Sequence, residues 1–215
     1  MRGPVLACGQ IATALPLDGL RVEALPARPG RKDVDPLLGP ELVVAGTDAD
    51  LAAVVLRLLR TERLAVTSVG FVPTDADSPF ARRWGLPADP RQALKLALTG
   101  TARPVPLIRD DAGGVLLGRG SLAPVSGVVY CDDQLVLRGR TRSIEVEPDR
   151  GEGAGLVVSL ARGRLLNRRK SFAGRAVQFG CVPVTPVLDG VPYPRAMERW
   201  TWYRHTEDLL LTRPG

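Results

Sequence analysis

The first hundred residues alternate short apolar runs with segments whose apolar positions recur every three or four residues. Glu41–Ala45 is apolar from Leu42 onward and stops at Gly46, which predicts a buried strand. From Leu51 to about Arg60 the apolar residues fall on one helical face, so we predict a helix there with Asp50 as its N-cap. The other runs that predict strands in this half are Val5–Cys8, Leu20–Leu25 and Leu64–Val72.

Two more helices are predicted by their start signals. Ser78-Pro79 and Asp89-Pro90 each place a capping side chain before a proline, which suits the first turn of a helix. Gly85 and Gly100 follow as stop signals. Strands and helices joined by short links predict a small parallel sheet covered by helices, and we assign this shortened α/β domain to residues 1–103.

The pattern changes after Arg103, where short β-branched runs separated by turn residues replace helical periodicity. We predict an antiparallel β domain over residues 104–215, a sandwich or a partly open barrel, whose last strand packs back on the first domain. Asp189-Gly190 between two such runs is the best hairpin signal in the chain. The predicted strands are 114–117, 127–130, 135–137, 142–146, 156–160, 176–179, 183–188 and an alternating stretch at 200–205.

Charge and hydropathy limit the class of protein. No apolar run reaches membrane-spanning length and the start of the chain lacks a secretory pattern, so we expect a soluble, cytoplasmic protein. The net charge of +6 comes almost entirely from arginine and is densest at Arg162–Lys170. Since no aromatic residue is interleaved there, we do not expect nucleic-acid binding. A solvated face is the favoured role of this run, and a peripheral contact with a lipid or membrane surface is the alternative.

Cysteine and histidine are too sparse for the common metal and nucleophile sites. Cys8, Cys131 and Cys181 are widely spaced, so we expect buried thiols rather than a disulfide or zinc framework. The single histidine, His205, is expected at a surface position of a strand.

Two loops at the predicted carboxyl ends of strands carry the same tetrapeptide. They read Thr47-Asp48-Ala49-Asp50 and Thr74-Asp75-Ala76-Asp77. In open α/β sheets that edge is where ligands bind, and oxygen ligands converging there would suit a divalent cation. One interpretation therefore makes Asp48, Asp50, Asp75 and Asp77 a metal site. The other makes Asp50 and the Asp77-Ser78 pair helix caps, and the sequence supports both equally.

Leu42–Arg103 resembles the catalytic core of the diacylglycerol-kinase-like lipid kinases, a family related in fold to NAD kinases. Gly46-Thr47-Asp48-Ala49-Asp50 stands where that family has a Gly-Gly-Asp-Gly-Thr loop. The segment from Pro73 into Phe80-Ala81-Arg82 stands where it has Pro-x-Gly-Thr-x-Asn-Asp followed by a helix. Leu188-Asp189-Gly190 is similar to its Asp-Gly-Glu segment.

The resemblance implies ATP and Mg²⁺ as cofactors and a lipid hydroxyl as acceptor. It places nucleotide contacts at Gly46, Thr47, Asp48, Thr74 and Asp75, and it makes Asp189 the general base. It also leaves a homo-oligomer open as an expectation.

The departures from the family pattern bear on activity. Glycines that would let a backbone approach phosphate are replaced by Thr47, Ala49 and Asp75-Ala76, and added carboxylates would repel a polyphosphate. We therefore expect a protein of this family that is degenerate in ATP binding and acts as a lipid-binding, metal-binding or assembly module, with either no cofactor or a divalent cation. The alternatives are an active ATP-dependent lipid kinase, and an unrelated small-molecule enzyme that reuses the cleft.

Overall fold

The computed structural model describes residues 3–9, 19–151, 155–162 and 168–215. The chain forms two compact units, one of Met1–Val105 with Glu207–Gly215 and one of Pro106–Thr206. In the described part of the chain, no helix is long and apolar enough to cross a membrane.

The first unit is a six-stranded sheet with helices. Its strands are β1 (Val5–Cys8), β2 (Val22–Leu25), β3 (Glu41–Gly46), β4 (Ser68–Pro73), β5 (Thr101–Val105) and β18 (Leu209–Arg213). Its helices are α1 (Arg31–Val34), α2 (Asp48–Arg60), α3 (Pro79–Trp84) and α4 (Pro90–Thr99), with a 3-10 turn at Asp35–Leu37.

The strand order in this sheet is β2-β1-β3-β4-β18-β5. All neighbours run parallel except β18 and β5, which pair antiparallel. The C-terminal strand β18 thus lies between β4 and β5, although both of those strands come much earlier in the chain. The central strands β3 and β4 are buried along nearly their whole length, as expected of parallel strands covered on both faces.

Helix α2 begins three residues earlier than the sequence predicts, because Thr47 rather than Asp50 is its N-cap. Thr47 Oγ1 accepts a hydrogen bond from the Asp50 backbone N–H, and the Asp50 carboxylate accepts from the Thr47 N–H, which is a capping box. The predicted strand 64–72 is also shortened, since Leu64–Thr67 form turns before β4 starts at Ser68. Both Asp48 and Asp50 therefore lie in the first turn of a helix rather than in a free loop.

The second unit consists of two antiparallel six-stranded sheets. The first has the order β10-β9-β14-β17-β6-β7 and the second β13-β12-β11-β8-β15-β16. The strands of the first sheet are β6 (Ile108–Asp110), β7 (Val115–Leu116), β9 (Val125–Cys131), β10 (Gln134–Thr141), β14 (Ala176–Val184) and β17 (Met197–Arg204). Those of the second are β8 (Gly120–Leu122), β11 (Ser143–Pro148), β12 (Leu156–Arg162), β13 (Arg168–Gly174), β15 (Val187–Leu188) and β16 (Val191–Pro192).

One hydrophobic core joins the two sheets of this unit. It contains Val129, Val177 and Trp202 from one sheet and Ile144 and Val158 from the other. Trp200 and Trp202 are edge-to-face with ring centroids 5.8 Å apart, the geometry that aromatic pairs favour. The predicted fold class, an α/β unit followed by a β-sandwich-like unit, is the observed one.

The hairpin predicted at Asp189-Gly190 forms between β15 and β16. Asp189 has φ 47° and Gly190 has φ 85°, so both central residues are left-handed, as a type I′ turn requires. The sequence signal was strong here because few residues other than aspartate, asparagine and glycine adopt that conformation easily.

Candidate functional site

Residues 46–50 and 74–78 each lie where a strand of the first unit's sheet leads into a helix. We call these two segments together the carboxyl edge. Strands β3 and β4 are parallel neighbours, and Gly46 is in register with Pro73. The Thr74 N–H donates to the Gly46 carbonyl at 2.9 Å, which ties the second loop to the first. The topology thus brings the two Thr-Asp-Ala-Asp loops side by side, as the sequence predicts.

The Asp50 carboxylate is buried and accepts hydrogen bonds on both oxygens. Its Oδ1 accepts from the Arg28 N–H at 2.6 Å, and its Oδ2 accepts from the Thr47 N–H and the Thr47 hydroxyl, each at 2.8 Å. Arg28 has φ 50°, an uncommon conformation for arginine that this contact helps to hold. Backbone N–H groups at a helix start commonly bind an anion. Here the Asp50 side chain accepts the N–H of Thr47, the N-cap residue of α2.

The space beside Gly46 is also filled by Asp50. A Cβ built on Gly46 would lie 2.8 Å from Asp50 Oδ2 and 3.0 Å from Asp50 Cβ. Glycine is therefore required at position 46 by a close approach within the chain. That role differs from admitting a phosphate, which is the reason the sequence comparison suggested for the glycine.

Asp48 points the other way, into the start of helix α3. Its Oδ1 accepts a short hydrogen bond from the Ser78 hydroxyl, and its Oδ2 accepts from the Phe80 N–H at 2.9 Å. Burial raises the pKa of the Asp48 carboxyl above its ordinary value of 3.8, and the nearby Asp75 raises it further, while the bonds from Ser78 and Phe80 oppose the rise. The side chain joins the two loops of the carboxyl edge through hydrogen bonds.

The remaining aspartates of the two loops are exposed and make local contacts. Asp75 Oδ1 accepts from the Asp77 N–H at 2.8 Å, and Asp77 lies 3.2 Å from Arg82. In the described chain, no three His, Cys, Asp or Glu side chains are grouped so that they could hold a metal ion. The geometry places Asp50 in the capping box of α2 and makes Ser78 the N-cap of α3, and it does not group the four predicted metal ligands.

Asp189, the predicted general base, lies in the second unit and is buried. Its Oδ1 accepts from the Gly118 and Arg119 N–H groups at 2.7 and 3.0 Å, and its Oδ2 accepts from the Leu117 N–H at 2.9 Å. The carboxylate thus closes the loop that leads into strand β8. Three backbone donors leave it few free lone pairs with which to take a proton from a substrate.

The sequence also singled out the three cysteines, His205 and the basic run Arg162–Lys170. All three cysteines are free thiols, and burial raises the pKa of Cys8 to about 12 and that of Cys131 to about 11, so neither is a reactive thiolate. His205 follows the end of β17, and its backbone N–H donates to the Leu107 carbonyl. Most of the basic run Arg162–Lys170 lies outside the described residues, and of its side chains only Lys170 is described, 4.7 Å above the Phe172 ring.

Comparison with known proteins gives the fold directly. The structure matches a diacylglycerol kinase from Bacillus anthracis with a TM-score of 0.69 at 12% identity, over 100% of this chain and 97% of that one. An NAD kinase from Archaeoglobus fulgidus in complex with ATP matches with a TM-score of 0.56 at 11% identity, over 98% and 93% of the two chains. The fold is that of diacylglycerol kinases and NAD kinases.

A sequence relative supports this fold over part of the chain. A probable lipid kinase described as YegS-like, from Stenotrophomonas maltophilia, is 35% identical over 75 residues. That match covers 34% of this chain and 24% of the relative, so this chain spans about a quarter of the relative's length. No protein-family model matches the chain. The resemblance predicted from the sequence motifs is confirmed at the level of the diacylglycerol-kinase-like fold.

At the carboxyl edge of this diacylglycerol-kinase-like fold, the residues do not fit a nucleotide polyphosphate. The N–H groups of Thr47 and Arg28 already donate to Asp50, and the same carboxylate fills the space against Gly46. A phosphate here would displace or face a buried carboxylate, and two like charges about 4 Å apart repel by about 4 kcal/mol at an effective dielectric constant of 20. The proposed nucleotide contacts at Gly46, Thr47, Asp48, Thr74 and Asp75 stay predictions.

Sequence reasoning missed the partners of these carboxylates. Arg28 lies 22 positions before Asp50 and Ser78 lies 30 positions after Asp48, and no motif links either pair. Ser78 was recognised as the cap of α3, which it is, since its Oγ accepts from the Ala81 N–H at 2.9 Å. Its second bond, to Asp48, depends on the parallel pairing of β3 and β4 and could not be inferred from capping alone.

Proposed function

We propose that this chain is a degenerate, non-phosphorylating relative of the diacylglycerol and lipid kinases that serves as a binding or assembly module. The fold and the partial match to a probable lipid kinase support the kinship. What the relatives bind or phosphorylate is a property of those proteins. This chain keeps their scaffold and uses its carboxyl edge for internal contacts.

The observation that carries the proposal is the Asp50 carboxylate. It is an anion built into the chain, and it accepts the N–H groups of Thr47 and Arg28 that face the edge. A polyphosphate would have to compete with a carboxylate that is tethered beside these donors and so is always present at high effective concentration. An ordinary ATP affinity does not overcome that competition.

The hydrogen bonds of the Asp48 and Asp189 carboxylates support the same proposal. Asp48 accepts hydrogen bonds from the Ser78 hydroxyl and the Phe80 N–H, so both of its oxygens already have partners within the chain. Asp189 accepts three backbone N–H groups in the second unit. Each of the residues to which the family resemblance gives a role in catalysis thus has a structural role in this chain.

The experiment is a phosphate-transfer assay with labelled ATP, Mg²⁺ and diacylglycerol in mixed micelles. We expect no labelled lipid above the background of an enzyme-free reaction, with the B. anthracis diacylglycerol kinase as positive control. Labelled lipid formed by the purified chain above that background would contradict the proposal. A mock purification from cells that lack the chain shows whether a contaminating kinase forms the label.

A further inference from the structure

A cavity of about 570 Å³ opens in the second unit, where the first of its two sheets loses its regular pairing. Strands β9 and β14 pair from Cys131 and Val177 as far as Gly127 and Cys181. Beyond that pair β9 continues to Val125 without a partner on this side in the described ladder. The pairing of β14 with β17 also shifts between Gly180 and Val184. The separation of the strands creates the cavity.

The floor and one rim of the cavity are apolar. Val125 and Val184 are buried members of the core and form its floor. Val182 and Pro183 also line the cavity, and Val182 is 64% exposed, the highest value among the large apolar side chains that the structure describes. The volume lies within the range of about 300–1,000 Å³ found for small-molecule sites. Apolar surface of this kind suits a hydrocarbon chain.

The polar side of the cavity carries positive charge and hydroxyl donors. Arg140 is the charged residue among the lining side chains, all of which the structure describes. Ser126 and Thr185 add hydroxyls that make no hydrogen bond to the described parts of the chain, whereas the Thr141 hydroxyl donates to the Ala161 carbonyl at 2.9 Å. A guanidinium with two nearby hydroxyl donors recognises a carboxylate or a phosphate monoester.

We propose that this cavity binds a single-chain amphiphile with an anionic head, its carboxylate or phosphate on Arg140 and its hydrocarbon chain against Val182, Pro183 and the valine floor. The assignment rests on one arginine and exposed apolar side chains in the lining of the same cavity, with no ion pair to Arg140 among the described residues. The site lies wholly within the second unit and is independent of whether the carboxyl edge binds ATP. It gives the chain a ligand of its own.

The test is a calorimetric titration of the full chain with four probes at monomeric concentrations. They are decyl phosphate, decanoate, inorganic phosphate and decyltrimethylammonium. We expect one molecule of decyl phosphate or of decanoate to bind per chain, and the comparison of the two tells which head is preferred. Inorganic phosphate is expected to bind at least about tenfold more weakly, since it lacks the chain that the apolar wall would cover.

Two arginine variants on one strand provide a matched comparison. Arg140→Met removes the charge that faces the cavity, and Arg138→Met removes an equally exposed charge two residues away that does not line it. We expect Arg140→Met to weaken decyl phosphate binding by about tenfold or more and Arg138→Met to leave it within about twofold. Val182→Ser should weaken binding of the decyl probes and leave that of inorganic phosphate unchanged.

Several results would overturn the proposal. The first is that both arginine variants weaken binding of decyl phosphate equally. The second is that decyltrimethylammonium binds as tightly as the anionic decyl probes, and the third is that inorganic phosphate binds as tightly as decyl phosphate. The fourth is that neither decyl phosphate nor decanoate binds. Unfolding midpoints of all variants, measured alongside, separate loss of the site from loss of the fold. If Arg140→Met does not fold, Arg140→Gln takes its place.

Discussion

At the scale of single residues, the buried carboxylates of Asp48 and Asp50 accept hydrogen bonds that link separate segments of the chain. Asp48 and Asp50 are two positions apart in one helical turn and point to different partners, one toward α3 and one toward Arg28 and Thr47. Each carboxylate satisfies backbone N–H groups that would otherwise be unpaired at a helix start. The stability of the edge therefore depends on these two carboxylates.

Replacing Asp48 should destabilise the fold. Asp48→Ala removes the acceptor of both the Ser78 hydroxyl and the Phe80 N–H, and we expect a loss of about 2 kcal/mol in the free energy of unfolding. Asp48→Asn should cost less, because its amide can accept from Phe80 and donate to Ser78. Urea unfolding measures both, with the exposed Asp77→Ala as control. A change at Asp48→Ala no larger than at Asp77→Ala would contradict the assignment.

Asp50 should matter more than an ordinary helix cap. Asp50→Ala loses acceptors for the Arg28 N–H, the Thr47 N–H and the Thr47 hydroxyl, whereas Asp89→Ala loses only the acceptor of the Gln92 N–H at the start of α4. We expect about 2–3 kcal/mol for the first and about 1 kcal/mol for the second. Equal costs in the same urea experiment would mean that the contact with Arg28 contributes nothing.

At the scale of elements, the sequence predicted what depends on local pattern and missed what depends on pairing. The apolar runs of β3 and of β4 and the proline starts of α3 and α4 were visible, because these signals lie within a few residues. The start of α2 was misplaced by three residues, since Thr47 and Asp50 are both good capping residues and local sequence does not rank them. The sequence analysis expected the last strand to pack on the first domain. It did not place β18 between β4 and β5, because that position depends on contacts over more than a hundred positions, which no local pattern encodes.

The same distinction applies to the candidate site. The sequence left open whether the strands before the two tetrapeptides are neighbours, and the structure pairs β3 with β4 and so brings the loops side by side. Whether their carboxylates face outward to a metal or inward to backbone N–H groups depends on side-chain partners far along the chain. The inward arrangement follows from Arg28 and Ser78, which the motifs do not include.

An ion pair joins the 3-10 turn after α1 to α2 and should make stability depend on pH. Arg57 Nε and Nη2 donate to the two Asp35 oxygens at 2.7 and 2.8 Å, and these bonds lower the pKa of Asp35 below its ordinary value of 3.8. A lowered pKa in the folded state means that the pair stabilises fully above the unfolded value and that this contribution is lost as pH falls through the folded value.

Wild type and Asp35→Asn can therefore be compared by thermal unfolding from neutral pH down to about pH 3. We expect the wild type to have the higher midpoint above about pH 5, and the gap to shrink as the solution becomes more acidic than about pH 4. Arg57→Met should give the same pH profile. A gap that stays constant down to the lowest pH would show that the ionised pair contributes nothing to stability.

At the scale of the whole molecule, the chain has a diacylglycerol-kinase-like fold, and the buried carboxylates at the carboxyl edge of its first unit make contacts within the chain. The structural match covers the chain from end to end, whereas the recognisable sequence match covers 34% of it. A fold tolerates extensive substitution when apolar patterning is kept, and function depends on a few side chains that can change independently. This explains how the scaffold can persist while the nucleotide loops diverge.

The most direct test of this account is thermal unfolding with Mg²⁺ alone, ATP alone, and both together. A ligand at a hundred times its dissociation constant adds about 2.7 kcal/mol, which would raise the midpoint of a chain this long by roughly 5–10 °C. We predict no shift beyond about 1 °C in any of the three conditions, because the Asp50 carboxylate accepts the Thr47 and Arg28 N–H groups and would repel a phosphate beside them. A shift of several degrees that requires Mg²⁺ and ATP together would contradict the account.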